Sequence, residues 1–155
     1  MEADIGIKKV EKITNLLNAT LADLYVLTTK TKKYHWNITG PRFMFLHEMF
    51  QKQYEAMDDF IDEVAERITI LGNKAIGTLD EFQKASQLEE HPEDFPDEEG
   101  MIEDLLTDHE ILVKTIRKNI AICSEHEDEG SADLYVQLIR FHEKTAWMLR
   151  SHLEE

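Results

Sequence analysis

Residues 34–49 read YHWNITGPRFMFLHEM, two histidines either side of a Gly-Pro break, with a tryptophan beside the first. Before the break, from Ile7 to about Tyr34, the residues Val10, Ile13, Leu17, Leu21, Leu24 and Leu27 recur at three- and four-residue steps, the apolar stripe of an amphipathic helix. After it, from about Arg42 to Leu71, Leu46, Phe50, Gln53, Met57, Phe60, Val64, Ile68 and Leu71 form a second stripe, which Gly72 closes. Gly40 suits a left-handed helix end and Pro41 a helix first turn, so the pair marks one helix ending and another starting. The turn lets His35 and His47 converge.

Further along, from Gly72 to Gly100, the pattern weakens, with Gly77, Pro92 and Pro96 as breakers and LDEFQKASQL as a candidate short helix. A connection of that length fits a compact domain when it spans the bundle. A third helix is predicted from near Asp97 to about Glu125, with Ile102, Leu105, His109, Leu112, Ile116 and Cys123 inward. EHEDEGS interrupts it. The fourth runs from about Ala132 to His152 on Leu134, Leu138, Phe141 and Trp147 to Leu149, with Ser131 as its N-cap. The expected fold is all-α, a single domain over residues 1–155: a four-helix bundle with a long crossover carrying a short helix between the second and third helices.

Composition agrees. A chain of 155 residues fills one core, and three prolines and six glycines leave few breakers for long helices. The formal net charge of -15 repels phosphate backbones and attracts cations. Cys123 is the only cysteine, so no intrachain disulfide forms and a reducing compartment is expected. MEADIGIKKVEK carries no apolar signal region and no long apolar run follows, so a cytoplasmic protein with no membrane partner is expected. The NIT sequon at Asn37 has no secretion signal to give it meaning.

The residues able to carry chemistry are histidines and acids. A metal centre inside one bundle would show Glu-x-x-His on two helices, and none of the seven histidines has a glutamate three residues before it. A conventional di-iron carboxylate centre within one bundle is therefore not expected. Asp62 and Glu66 share a helix face with His47, rotated from it by about 60° and about 100°. Along the axis Asp62 is roughly 22 Å from His47, far beyond a metal–ligand bond of roughly 2 Å. One chain cannot put both on one ion. Two copies of the helix crossing antiparallel about a two-fold axis near Ala56 would bring His47 opposite the Asp62–Glu66 turn. His35 would reach the same place from the preceding helix end. Taken singly, each residue has a plainer reading. His109 and His142 read as satisfied core residues, Trp36 as packing, and Asp62 and Glu66 as solvated acids.

The joint spacing argues otherwise. HWNITGPRFMFLHEM followed by DEVAERITILG, together with SADLYVQLIRFHEKTAWMLRSHLEE at the C-terminus, resembles the Dps family, small ferritin relatives named as DNA-binding proteins from starved cells. The resemblance spans nearly the whole chain. It implies a ferritin-like bundle assembled as a hollow homo-dodecamer, with ferroxidase sites at two-fold interfaces. On position matching, His35 and His47 come from one subunit and Asp62 and Glu66 from its partner, with Trp36 beside the site to shield or quench oxidising intermediates. Iron is then both substrate, as Fe(II), and stored mineral, as Fe(III), with hydrogen peroxide or dioxygen as oxidant. A mixed imidazole and carboxylate set suits that exchange.

One departure concerns the metal count. Many members carry an acid four residues after the second histidine, where this chain has Gln51. Glu125, Glu129 and Asp133, at four-residue steps, resemble the family's acidic three-fold pore, which would focus cations inward. The other reading of Glu125 is a solvated loop acid. Glu48 is a candidate for mineral nucleation and, equally, a surface acid. Direct DNA binding is not expected, because Lys8, Lys9 and Lys12 fall inside the predicted first helix and the body is acidic. The alternative function is an architectural nucleoid-binding protein with a vestigial iron site, for which Gln51 is the support.

Overall fold

A computed structural model describes residues 3–154. It contains five helices and, among the described residues, no strand: α1 (Val10–Asn37), α2 (Phe43–Ile70), α3 (Leu79–Ala85), α4 (Glu98–Glu125) and α5 (Glu129–Ser151). Four are long and α3 has 7 residues. α1 packs on α2, α3 and α4, and α5 packs on α4 and α2.

Cross-helix pairs fix the directions. His35 meets His47, so α1 and α2 are antiparallel. Tyr34 and Lys30 meet Asp104 and Asp108, so α1 and α4 are antiparallel. Phe45 meets His152 while Arg67 meets Asp128, so α2 and α5 are antiparallel too. Helices α2 and α4 therefore run the same way, and the segment between them must travel the length of the bundle. It does so fastened down: Tyr25 stacks on Phe82 at 4.3 Å, Asp23 accepts from Ser86 and Gln87, and Lys33 donates to the carbonyls of His91 and Asp94. Thr78 and Glu81 close a reciprocal capping box at the start of α3.

The buried face is the predicted one, with Ile13, Leu17, Leu24, Leu27, Leu46, Phe50, Met57, Val64, Ile68, Leu105, Ile116 and Leu138 in one cluster. Cys123 belongs to it, and burial pushes its thiol up to about 11. Several boundaries differ from expectation. α1 begins at Val10, not Ile7, so Lys8 and Lys9 precede the helix and only Lys12 lies inside it. Pro41 precedes α2 and is not in its first turn. α3 stops at Ala85, where the extended Ser86 turns the chain toward Asp23.

α5 begins one turn before Ala132, because Asp128, not Ser131, is its N-cap and accepts from the Ser131 amide. Trp147 and Met148 were expected inward, but both are exposed, and Ala146 and Leu149 take the core positions. Gly40 has φ 122, and a Cβ there would stand 2.6 Å from the Glu98 carboxylate, which already accepts from the Arg42 backbone N–H and Nε. Only glycine fits this turn.

Candidate metal centre

His35 sits in the last turn of α1 and His47 in the second turn of α2, brought face to face by the Gly40 turn. Their rings stack at 3.8 Å with 16° between planes. The hydrogen bonding is reciprocal: His35 Nδ1 donates to the His47 carbonyl at 2.6 Å, and His47 Nδ1 donates to the His35 carbonyl at 2.7 Å. A carbonyl only accepts, so each Nδ1 carries the proton and each Nε2 keeps its lone pair. No side chain or backbone group among the described residues pairs with either Nε2. Two imidazoles in near-parallel stack, with their tautomers fixed by the backbone, each keep one nitrogen lone pair available as a ligand. Backbone carbonyls behind a ligating histidine are the usual orienting device at metal sites.

Neighbouring aromatics complete the wall. Phe43 stacks on His47 at 5.1 Å and Tyr54 meets the His35 ring edge-on at 5.4 Å. Neither was singled out in the sequence, although Tyr54 lies two turns after His47 on the same helix. Trp36, next to His35, is 68 % exposed. Phe43, Met44 and Phe45 are exposed as well; Phe43 lies against His47, whereas Phe45 packs beside His152.

The predicted carboxylates are elsewhere. Asp62 and Glu66 are exposed on α2, and their side chains make no hydrogen bond or ion pair among the described residues. α2 is one continuous helix of 28 residues, so the separation of roughly 22 Å along its axis stands. Correspondingly, no three His, Cys, Asp or Glu side chains gather into a metal-holding group among the described residues. The structure thus assembles the histidine half of the set and leaves the acid half free on the surface. Glu48 is exposed beside His47, and Gln51 donates to Glu55 at 2.8 Å.

Around the α4–α5 turn, Glu125, Glu129 and Asp133 are all exposed, and Asp133 accepts from Gln137. The acid that organises this turn is one the sequence reading passed over. Asp128 is 1 % exposed, caps α5 and holds the Arg67 guanidinium at 2.7 Å. Its signal was present as Asp-x-x-Ser at a helix start.

A second correction concerns His109 and His142. They are core residues but not satisfied ones: Nδ1 meets Nδ1 at 2.8 Å, while both Nε2 atoms are buried without a partner. Burial holds both well below the ordinary histidine range, His142 at about 3, so both rings are neutral.

Comparison with known proteins puts these features in context. The ferritin-like domain family matches residues 14–155. The chain is 43% identical over 143 residues to an uncharacterized low temperature-induced protein of Nostoc sp., covering 92% of this chain and 80% of that one. It is 35% identical over 145 residues to DNA protection during starvation protein 2 of Bacillus anthracis, covering 94% and 99%. The crystal structure of the Dps protein from Vibrio cholerae O1, described as a member of a broad superfamily of ferritin-like diiron-carboxylate proteins, superposes with a TM-score of 0.90 at 32% identity, covering 99% of this chain and 100% of that one.

Proposed function

This chain belongs to the Dps family of ferritin-like proteins, and on that footing we propose that it is a ferroxidase that detoxifies and stores iron inside a hollow homo-oligomeric shell. The observation that carries the reading is the reciprocal Nδ1-to-carbonyl bonding of His35 and His47, which prepares two Nε2 lone pairs for a transition metal. Neutral imidazole suits Fe(II), and carboxylate oxygen suits Fe(III). Asp62 and Glu66 from a second subunit supply the carboxylates. The exposed Trp36 and Phe43 next to the histidines support such a contact, since exposed apolar surface of this kind marks interaction sites.

In this reading the oxidant is hydrogen peroxide. Its O–O bond breaks as two Fe(II) ions each give up one electron, and the two oxygens leave as hydroxide or water. The protein's part is to hold Fe(II) on nitrogen and pass Fe(III) to oxygen, with the mineral growing inside. Glu125, Glu129 and Asp133 line the entry route and Glu48 faces the growing mineral, both supported by exposure and negative charge.

Subunit mixing tests the shared site. Homogeneous assemblies of His35→Ala/His47→Ala and of Asp62→Asn/Glu66→Gln should each oxidise Fe(II) about 10- to 100-fold more slowly than wild type. Co-refolded at equal amounts, they should recover about a quarter of the wild-type rate, because a mixed two-fold interface rebuilds one intact site of its two. No recovery in mixed assemblies of normal mass would refute a site divided between subunits.

A further inference from the structure

Of the six methionines, Met1 lies outside the described residues, and Met49, Met57 and Met101 sit in the core, none more than 8% exposed. The other two reach solvent, Met44 at 62% and Met148 at 43%. Met44 stands in the first turn of α2, three residues before His47. At 100° per residue it lies about 60° around the helix from His47 and about 4.5 Å along the axis, a spacing at which side chains are neighbours. Phe43 takes the other flank, stacked on the His47 ring. Met148 belongs to the opposite side of α2. Phe45, about 160° around the helix from His47, packs on His152, and Met148 is one turn before His152 on α5. One exposed thioether therefore borders the histidines and the other does not.

We propose, resting on the ferroxidase reading, that Met44 is a reversible oxidation site that takes an oxygen atom from peroxide when iron cannot supply both electrons. Reduction of hydrogen peroxide to water or hydroxide needs two electrons, and one Fe(II) gives one. With a single Fe(II) at the histidines, one-electron cleavage of the O–O bond leaves hydroxide and a hydroxyl radical. The Met44 thioether opens a different route. Its sulfur lone pair attacks one peroxide oxygen, the S–O bond forms as the O–O bond breaks, and the other oxygen leaves with both protons as water. Sulfur loses two electrons, peroxide gains two, the iron stays Fe(II) and no radical is released.

Iron on His47 assists this transfer as a Lewis acid, drawing charge from the leaving oxygen. Gln51 makes the one-iron state relevant, because a neutral amide brings no charge to a second cation. Exposure suits the product as well. A sulfoxide is polar, and at Met44 its oxygen goes to water, whereas at the fully buried Met57 the same change would put a polar atom into the packed core. Thiol-dependent reduction returns the sulfoxide to the thioether, so the residue can act repeatedly.

The test is peptide mass spectrometry of the full chain after treatment with peroxide, with less than one Fe(II) per chain or with none, following Fe(II) oxidation in the same samples. Exposure alone would give Met44 about 1.4 times the sulfoxide of Met148. With iron present, Met44 should exceed Met148 by about fivefold or more, and the excess should vanish without iron and in the His35→Ala/His47→Ala chain. Met44→Leu, which keeps an apolar side chain of similar volume, should release about twofold more hydroxyl radical in spin trapping under the same limiting iron.

A ratio near the exposure value with iron present, the same excess without iron or without the histidines, or an unchanged radical yield in Met44→Leu would each overturn the proposal. Normal, histidine-dependent Fe(II) oxidation in those samples would leave the iron site standing. Fe(II) oxidation indifferent to His35 and His47 would instead remove the ferroxidase reading, and the role of Met44 with it.

Discussion

The two histidine pairs use the same side chains to opposite ends. In His35–His47 each Nδ1 is tied to a backbone carbonyl and each Nε2 is left with its lone pair. In His109–His142 the Nδ1 atoms face each other and the Nε2 atoms are sealed in the core. The difference lies in what each ring nitrogen leans on. A carbonyl partner dictates one tautomer and leaves a fixed lone pair, whereas an imidazole partner leaves the proton shared and the tautomer free to answer a ligand.

The largest expected effect is the response of the buried pair to acid. For chain kept metal-free with chelator, the folded His142 titrates at about 3 while the unfolded residue titrates near 6.5, so the unfolded state binds more protons between those values. The sign follows: this contribution is fully present above pH 6.5 and is lost as pH falls from 6.5 toward 3. By pH 4 it should remove on the order of 3 kcal/mol, read as a lower urea midpoint. His109→Leu/His142→Leu should flatten that slope. Equal slopes in the substituted and wild-type chains would mean the buried pair does not govern acid stability.

A smaller effect separates the pairs by the turn that holds one of them. Gly40→Ala must accept a positive φ and a Cβ 2.6 Å from a Glu98 oxygen that is already engaged by Arg42. We expect a loss of about 2 kcal/mol in stability and slower Fe(II) oxidation. The imidazole NMR signals of His35 and His47 should move while those of His109 and His142 stay. Movement of all four would show that the turn and the core are coupled.

How far each pair could be read from sequence follows from the same physics. Helix number, the crossover and the inward stripes are set by apolar periodicity, and Leu17, Leu24, Phe50 and Ile68 fall where expected. Helix ends are set by single hydrogen bonds, so α5 began at the Asp128 cap and not at Ser131. The impossibility of Asp62 meeting His47 within one chain was a matter of helix rise, and it holds in the structure. His109 and His142 lay on inward faces, but a periodic pattern cannot say whether a buried ring nitrogen finds a partner. That required the register of α4 against α5. Trp147 failed for another reason: at about 100° per residue it stands about 160° around the helix from the buried Leu149, on the outer side of α5.

The smallest expected effect is at Trp36, and it bears on why the outer pair carries an indole while the inner pair does not. Trp36 is 68 % exposed beside His35, so in the single chain its ring buries little and Trp36→Phe should change chain stability by less than about 0.5 kcal/mol. Packing within the single chain therefore does not explain its presence. On the proposed function, an electron-rich ring beside His35 offers an electron to any oxidant that escapes the paired two-electron reduction of peroxide. Phenylalanine keeps an apolar ring at this position but gives up that electron far less readily. The substituted assembly should hold its mass and oxidise Fe(II) within about twofold of the wild-type rate, a difference below about 0.5 kcal/mol. Spin trapping during turnover with peroxide should then detect more hydroxyl radical than wild type releases. Equal radical yield with normal assembly would reduce Trp36 to an interface residue and leave the two histidine pairs differing in tautomer alone.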